Sequence, residues 1–115
     1  MKCRSAKNKG VRLQNEIAAD IRTFFDLSDL DVRPAIMGES GRDIKFSVYA
    51  ESKFCFDVES KNCERLNLWG SWTQCVENTK LGRKPLLVFS RNRCETLCCL
   101  RFKDLLALLA ERKLE

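Results

Sequence analysis

The chain has 115 residues and contains no histidine. Histidine is the usual general base near neutral pH and a member of most Ser/His/Asp and Cys/His sites, so its absence argues against acyl-transfer catalysis of those kinds. A zinc site normally needs closely paired cysteines or histidines, and the seven cysteines form no CxxC pair. We therefore interpret the cysteines as reduced thiols in the core or at the surface.

The sequence also lacks long apolar runs. Its basic first ten residues are not followed by the apolar segment of an export signal, and no stretch reaches the length that a bilayer requires. There is no internal repeat, linker or low-complexity segment. We expect one soluble cytoplasmic domain over residues 1–115 with no membrane partner.

Charge is abundant and mixed. The 21 Lys and Arg residues are interspersed among 16 Asp and Glu residues, which leaves a net charge of +5. This balance favours a folded domain with a basic face, for which a polyanion is a suitable partner, although many small basic proteins bind none.

Hydrophobic periodicity predicts an α/β sandwich around a mixed sheet. Residues 11–25 have the stripe of an amphipathic helix. Residues 44–49 and 54–59 alternate as strands of a hairpin, with a short turn over residues 50–53 between them. The later segments are a helix within 65–79, a buried strand at 85–89, a basic turn at 90–93, a strand within 94–100 and a leucine-rich helix at 103–113.

Charged residues stand at the ends of the predicted hairpin. Asp43 precedes the first strand, and Glu59, Ser60 and Lys61 end the second. If the strands pair, two carboxylates and an ammonium meet at one edge of the sheet, a set suited to Mg²⁺-dependent phosphodiester hydrolysis, with Mn²⁺ as a substitute. Asp43, Glu59 and the Ser60 carbonyl are the predicted metal ligands, Lys61 orients or deprotonates water, and Glu16 reaches the metal from the first helix.

A simpler interpretation of the same residues stays open. Asp43 then caps a turn, Glu59 and Lys61 form a surface ion pair, and Glu16 is a solvated helix carboxylate.

In this order and spacing, the motifs resemble those of the PD-(D/E)xK nuclease superfamily, and within it the small Holliday junction resolvases of phage and archaeal type. The resemblance covers residues 9–93. It is carried by Lys9, Gly10 and Glu16, by residues 38–44, 59–62 and 85–93, and by Asn67, Trp69 and Gln74. Two positions depart from the family pattern: Arg42 stands where proline often precedes the aspartate, and Ser60 replaces an apolar residue or cysteine.

The resemblance implies a restriction-endonuclease-like αβββαβ core with a mixed central sheet, flanking helices and a C-terminal helix. It makes Asp43 and Glu59 metal ligands, Lys61 the catalytic lysine, Glu16 an accessory acid, and Gln74 a residue of the active-site rim. It also implies a homodimer acting on a four-way DNA junction, located in the host cytoplasm if the protein is viral. The residues expected to contact DNA are Lys7, Lys9, Arg12, Ser40, Arg42, Asn62, Lys84, Arg91 and Arg93.

Three other functions compete with junction cleavage. The chain could cleave duplex, nicked or flapped DNA, or bind DNA without cutting it. A redox or zinc role for Cys94, Cys98 and Cys99 is the third. Trp69 and Trp72 are expected to be core or interface aromatics in preference to base-stacking residues. The apolar surface of the second helix or of the last helix could serve as the dimer interface, but the leucines are expected in the core.

Overall fold

The fold is α/β, with a mixed sheet, flanking helices and a C-terminal helix. A computed structural model describes residues 2–36, 38–39 and 41–114, with side chains from Asn8 to Glu111. In chain order the elements are α1 (Lys2–Phe25), β1 (Val32–Pro34), β2 (Ile44–Phe46), α2 (Val48–Lys53), β3 (Phe56–Asn62), α3 (Leu68–Asn78), β4 (Lys84–Ser90), β5 (Leu97–Cys99) and α4 (Phe102–Leu114). No helix in these described ranges is long and apolar enough to cross a bilayer.

The strands form a mixed sheet and a separate pair. Strand β3 runs parallel to β4, and β5 runs antiparallel to β4 on its other side. Strands β1 and β2 pair with each other in antiparallel orientation. Helix α3 is the crossover between the parallel strands β3 and β4, as parallel pairing requires. The predicted mixed sheet with flanking helices is confirmed at this level.

Helix α1 carries the predicted apolar stripe. Its buried residues Leu13, Ile17, Ala18 and Ile21 pack in one cluster with Val58 of β3. The helix begins at Lys2, nine residues before the predicted start. These buried positions recur with the 3.6-residue period of a helix and so lie on one side of it. The core therefore lies between α1 and the sheet.

The predicted hairpin is wrong. Strand β2 ends at Phe46, and Ser47 caps helix α2 by accepting a hydrogen bond from the Ala50 N–H at 3.0 Å. The residues predicted as strand end and turn are therefore helical, and Val48 is exposed. The Ser47 cap was a signal for a helix start that the two-residue alternation concealed. Strand β2 consequently pairs with β1 and not with β3.

One prediction about apolar residues also needs correction. The leucines of α4 are not in the core, because Leu105, Leu106 and Leu109 are all exposed. Trp69, predicted as a core or interface aromatic, is 77% exposed and so does not belong to the core, whereas Trp72 is half-buried. The six cysteines with described side chains are all free thiols, as expected.

A buried ion-pair network ties β3 to the elements beside its first residues. The Asp57 carboxylate, 1% exposed, lies 2.6 Å from Nε of Arg83 and 2.9 Å from an Nη of Arg42. Its other oxygen accepts a hydrogen bond from the backbone N–H of Lys80. Glu51 of α2 pairs with the same Arg42 guanidinium at 2.9 Å. Since a buried carboxylate is stable only when it is paired, this network fixes the position of the chain around Arg42.

We expect Asp57→Ala to lower the free energy of unfolding by about 3–5 kcal/mol, because it leaves two partly buried guanidinium groups without their shared partner. The matched control is Asp29→Ala, which removes an exposed carboxylate and should change stability by less than about 0.5 kcal/mol. Urea unfolding of the three proteins measures both effects. Equal stability of the two variants would show that the network does not stabilise the fold.

Candidate functional site

Asp43 lies against β3 although β2 and β3 are not a hairpin. Gly41, with φ of +86°, turns the chain just before Arg42 and Asp43. The Asp43 N–H then donates to the Val58 carbonyl at 3.2 Å. In return, Asp43 Oδ2 accepts from the N–H of Ser60 at 2.7 Å and from its hydroxyl at 3.2 Å. These bonds bring the carboxylate to the open edge of β3.

Glu59 is the most buried acid of the predicted site, at 4% exposure. Its Oε1 accepts a hydrogen bond from the Asn78 side chain of α3 at 3.2 Å. Burial raises the pKa of Glu59, and the nearby negative charge of Asp43 raises it further, while Asn78 and Lys61 act in the opposite direction. Two carboxylates therefore share a region where negative charge is poorly compensated by the protein itself.

Lys61 completes the group. Its Nζ lies 3.9 Å from Glu59 Oε2, and about a third of its side chain is exposed. Residues two apart on a strand project from the same face, which is why Glu59 and Lys61 meet. A partly exposed ammonium beside the buried Glu59 carboxylate can still reach a substrate or a water molecule.

The Ser60 backbone points the same way as Asp43. In a strand, the N–H and C=O of one residue point to the same side, and the Ser60 N–H bonds to Asp43 and not to β4. The Ser60 carbonyl therefore also points to the β3 edge where Asp43 lies. The Ser60 carbonyl is therefore a third hard oxygen on the side of β3 that carries Asp43.

This donor set fits one hard divalent cation. Magnesium is commonly bound through one or two carboxylates, with water and phosphate oxygens in its other positions. Among the described residues, no group of three or more His, Cys, Asp or Glu side chains could hold a metal ion. A cation here would thus depend on Asp43, Glu59 and the Ser60 carbonyl together with water or substrate.

Glu16 and Gln74 stand apart from this group. Both are exposed, and the described contacts include no hydrogen bond or ion pair from either residue to Asp43 or Glu59. Gln74 lies one helical turn before Asn78, and α3 must run back along β3 to connect two parallel strands. Gln74 is therefore level with Lys61, which lies two residues beyond Glu59 in β3. The amide that contacts Glu59 belongs to Asn78. The residues around Asn78 form no motif that would have indicated this contact from the sequence.

Several residues predicted to contact DNA have partners inside the protein. Lys9 lies 3.7 Å from Glu64, and its carbonyl accepts a hydrogen bond from the Asn62 side chain. Lys84 pairs with Asp104 at 3.4 Å. Arg42 belongs to the Asp57 network.

The remaining residues predicted to contact DNA have other surroundings. Arg12 and Arg93 are exposed, and Arg91 donates to the Cys94 sulfur at 3.2 Å. Asn62 pairs with Ser90 across the parallel strands, so the basic turn after β4 lies beside the end of β3. Ser40 and the Lys7 side chain lie outside the described residues.

No protein-family model, curated protein sequence or solved structure matches this chain.

We expect Glu59→Gln to raise the free energy of unfolding at pH 7. The raised pKa of Glu59 means that its charged form is disfavoured in the folded protein, whereas the amide stays neutral and still accepts the Asn78 hydrogen bond. Below the ordinary pKa of about 4.5, wild-type Glu59 is protonated in both states and the gain should vanish. Ionisation of Glu59 thus destabilises the wild-type protein progressively as the pH rises from about 4.5 through the raised pKa of Glu59 in the folded state.

Denaturant unfolding at pH 4 and pH 7 measures this difference. Glu77→Gln, at an exposed position of α3, is the control for the loss of one charge. A Glu59→Gln variant that is less stable than wild type at pH 7 would show that the carboxylate is well compensated in the fold.

Proposed function

We propose that this chain is a metal-dependent, structure-selective DNA endonuclease that resolves four-way junctions by phosphodiester hydrolysis. The observation that carries the proposal is the grouping of Asp43, Glu59 and Lys61 at the end of β3, with Glu59 buried near a second carboxylate. Such clustered negative charge is costly without a cation, and it suits a site that acquires one.

The topology supports the finer assignment to a restriction-endonuclease-like core. The order α1, β1, β2, β3, α3, β4 follows the αβββαβ pattern, with the short α2 inserted between β2 and β3. Of the candidate metal-binding residues, Asp43 then directly precedes the second core strand and Glu59 lies in the middle of the third. This agrees with the order in which the PD-(D/E)xK motifs occur along the chain.

Each residue has a defined part in the proposed reaction. Asp43, Glu59 and the Ser60 carbonyl would hold Mg²⁺, or Mn²⁺ in its place. The bound ion would supply an activated water and stabilise charge on the phosphate and on the leaving oxygen. The Lys61 ammonium orients the attacking water and offsets the charge of the phosphate. Asn78 holds the Glu59 carboxylate in place through its amide.

The DNA backbone is proposed to pass over the end of the sheet. Strands β3 and β4 are parallel, so the basic turn containing Arg91 and Arg93 follows β4 at the same end as Lys61. Cations next to the candidate metal centre can bind the phosphates that flank the scissile bond.

Asp43→Asn and Glu59→Gln should abolish cleavage of a labelled four-way junction in Mg²⁺ and leave junction binding largely intact. Each substitution removes one anionic ligand without changing side-chain size. Lys61→Met should lower kcat by about 100-fold or more, as expected for loss of a group that stabilises charge in the transition state. Cleavage in Mg²⁺, Mn²⁺ or chelator, together with a binding titration, measures these effects.

Glu77→Gln provides the matched control for these variants and should cleave at the wild-type rate. Full activity of Asp43→Asn or Glu59→Gln would remove the assigned site. A substrate panel of junction, linear duplex, nicked and flapped DNA separates resolvase activity from general endonuclease activity. Junction binding without cleavage, and without divalent-ion binding in calorimetry, would favour a non-catalytic DNA-binding domain.

Arg93→Gln should weaken junction binding and reduce the slope of log K against log salt by about one, because one phosphate contact is lost. Lys53→Gln removes the same charge at the end of α2, before β3 begins, and should leave the slope unchanged. Fluorescence anisotropy over a salt series measures both variants. Equal slopes for wild type and Arg93→Gln would place the DNA elsewhere.

A further inference from the structure

An apolar cleft lies between helix α3 and residues 99–103, where β5 leads into α4. Its volume is about 540 Å³, within the range of about 300–1,000 Å³ that is typical of small-ligand sites. Trp69 of α3 and Phe102 of α4 line this cleft and are 77% and 72% exposed. The fold therefore leaves two large aromatic side chains of one cleft available to a ligand.

The charged residues of the cleft are both cationic. Arg101 and Lys103 line it beside the aromatic side chains, and both are exposed. The Arg101 guanidinium lies 5.9 Å from the centre of the Trp72 ring, which is a cation–π distance. Over the described residues, neither cation forms an ion pair, and the adjacent Asp104 pairs with Lys84 at 3.4 Å. The cleft thus combines aromatic surface with uncompensated positive charge.

This combination matches the chemistry of an unpaired nucleotide. A base has flat faces that stack on aromatic side chains whatever its sequence, and the phosphates on either side of it are anionic. In a duplex both faces of a base are already stacked on its neighbours, so such a cleft selects bases that are free of a duplex. An uncharged apolar ligand would leave both cations without a partner, and a flat lipid surface would leave the cleft unfilled.

The cleft is near the end of the sheet over which DNA is proposed to pass. Helix α3 (Leu68–Asn78) runs back along β3 (Phe56–Asn62) to connect two parallel strands. Its first turn, which contains Trp69, therefore lies towards the end of β3 that carries Lys61. A strand that leaves the candidate metal centre at this end can place a base at Trp69.

We propose that the cleft binds an unpaired nucleotide of a DNA strand, with the base stacked on Trp69 and the flanking phosphates at Arg101 and Lys103. Unpaired bases occur where the strands of a branched DNA separate, so this site adds a structural feature of the substrate to the proposed function. The choice of DNA as the nucleic acid rests on that proposed function. The binding of an unpaired base does not depend on cleavage.

Fluorescence anisotropy of a labelled oligo(dT) of about eight nucleotides, in chelator to prevent cleavage, tests the proposal. An abasic strand of the same length carries the same phosphates and should bind about tenfold more weakly, because it cannot stack. Trp69→Leu keeps apolar area without an aromatic face, and should weaken oligo(dT) binding by about tenfold while leaving the abasic strand unaffected. Trp69→Phe keeps an aromatic face and should bind oligo(dT) within about threefold of wild type.

Two further variants separate stacking from charge and from unrelated aromatic residues. Arg101→Gln should weaken the binding of both strands and reduce the slope of log K against log salt by about 0.7, as expected for one contact to a single strand. Phe24→Leu removes an exposed aromatic side chain of α1 outside the cleft and should keep the wild-type Kd. Far-UV circular dichroism establishes that the variants are folded, which their exposed positions favour.

Equal affinity of wild type for oligo(dT) and the abasic strand overturns the proposal, as does wild-type binding of oligo(dT) by Trp69→Leu. Vesicles of anionic phospholipid that bind wild type when oligo(dT) does not would also overturn it and assign the cleft to a lipid surface. Asp43→Asn should keep the wild-type affinity for oligo(dT). A chain that binds oligo(dT) through Trp69 but cleaves no DNA would therefore retain this site and contradict only the proposed cleavage.

Discussion

The Asp57 carboxylate and its two arginines are the interaction on which the candidate site depends. Asp57 is buried, so it must be paired, and Arg42 and Arg83 provide the pairing from two different segments. Arg42 is the residue before Asp43. Once Arg42 is held against the start of β3, the next residue is directed along the strand edge towards Ser60. The Arg42–Asp57 ion pair, formed two residues before Glu59, thereby brings the Asp43 carboxylate close to Glu59 although the two acids are distant in sequence.

The second constraint is that β3 is covered on both faces. Val58 packs in the core beneath α1, while Glu59 on the other face meets α3 through Asn78. Coverage by α3 converts an acid that alternation would leave in water into a buried one. This is the physical origin of its raised pKa and of the chemistry proposed for it. The same coverage leaves Lys61, nearer the strand end, open to solvent.

Much of the observed secondary structure agrees with the elements predicted from the sequence. The stripe of α1 and the continuous apolar run of β4 predicted their elements and their buried faces. The grouping of Asp43 with Glu59 could also be anticipated, although through a hairpin that does not exist. Asp43 reaches Glu59 because its backbone and side chain bond to Val58 and Ser60, the residues on either side of Glu59 in β3. Asp57, Arg83 and Asn78 could not be found in this way, because no strand pairing or periodicity in the sequence indicates which segment each of them contacts.

The sequence by itself determined which residues can form helices and strands, and which side chains carry charge and metal-ligand chemistry. It did so because periodicity and residue chemistry are local properties. Only the tertiary structure decided which faces are covered. Helices α1 and α4 both carry several leucine and other apolar residues, yet those of α1 pack on the sheet and those of α4 face solvent. Whether an apolar helix face is buried depends on which other element packs against it. The sequence of the helix does not specify that element.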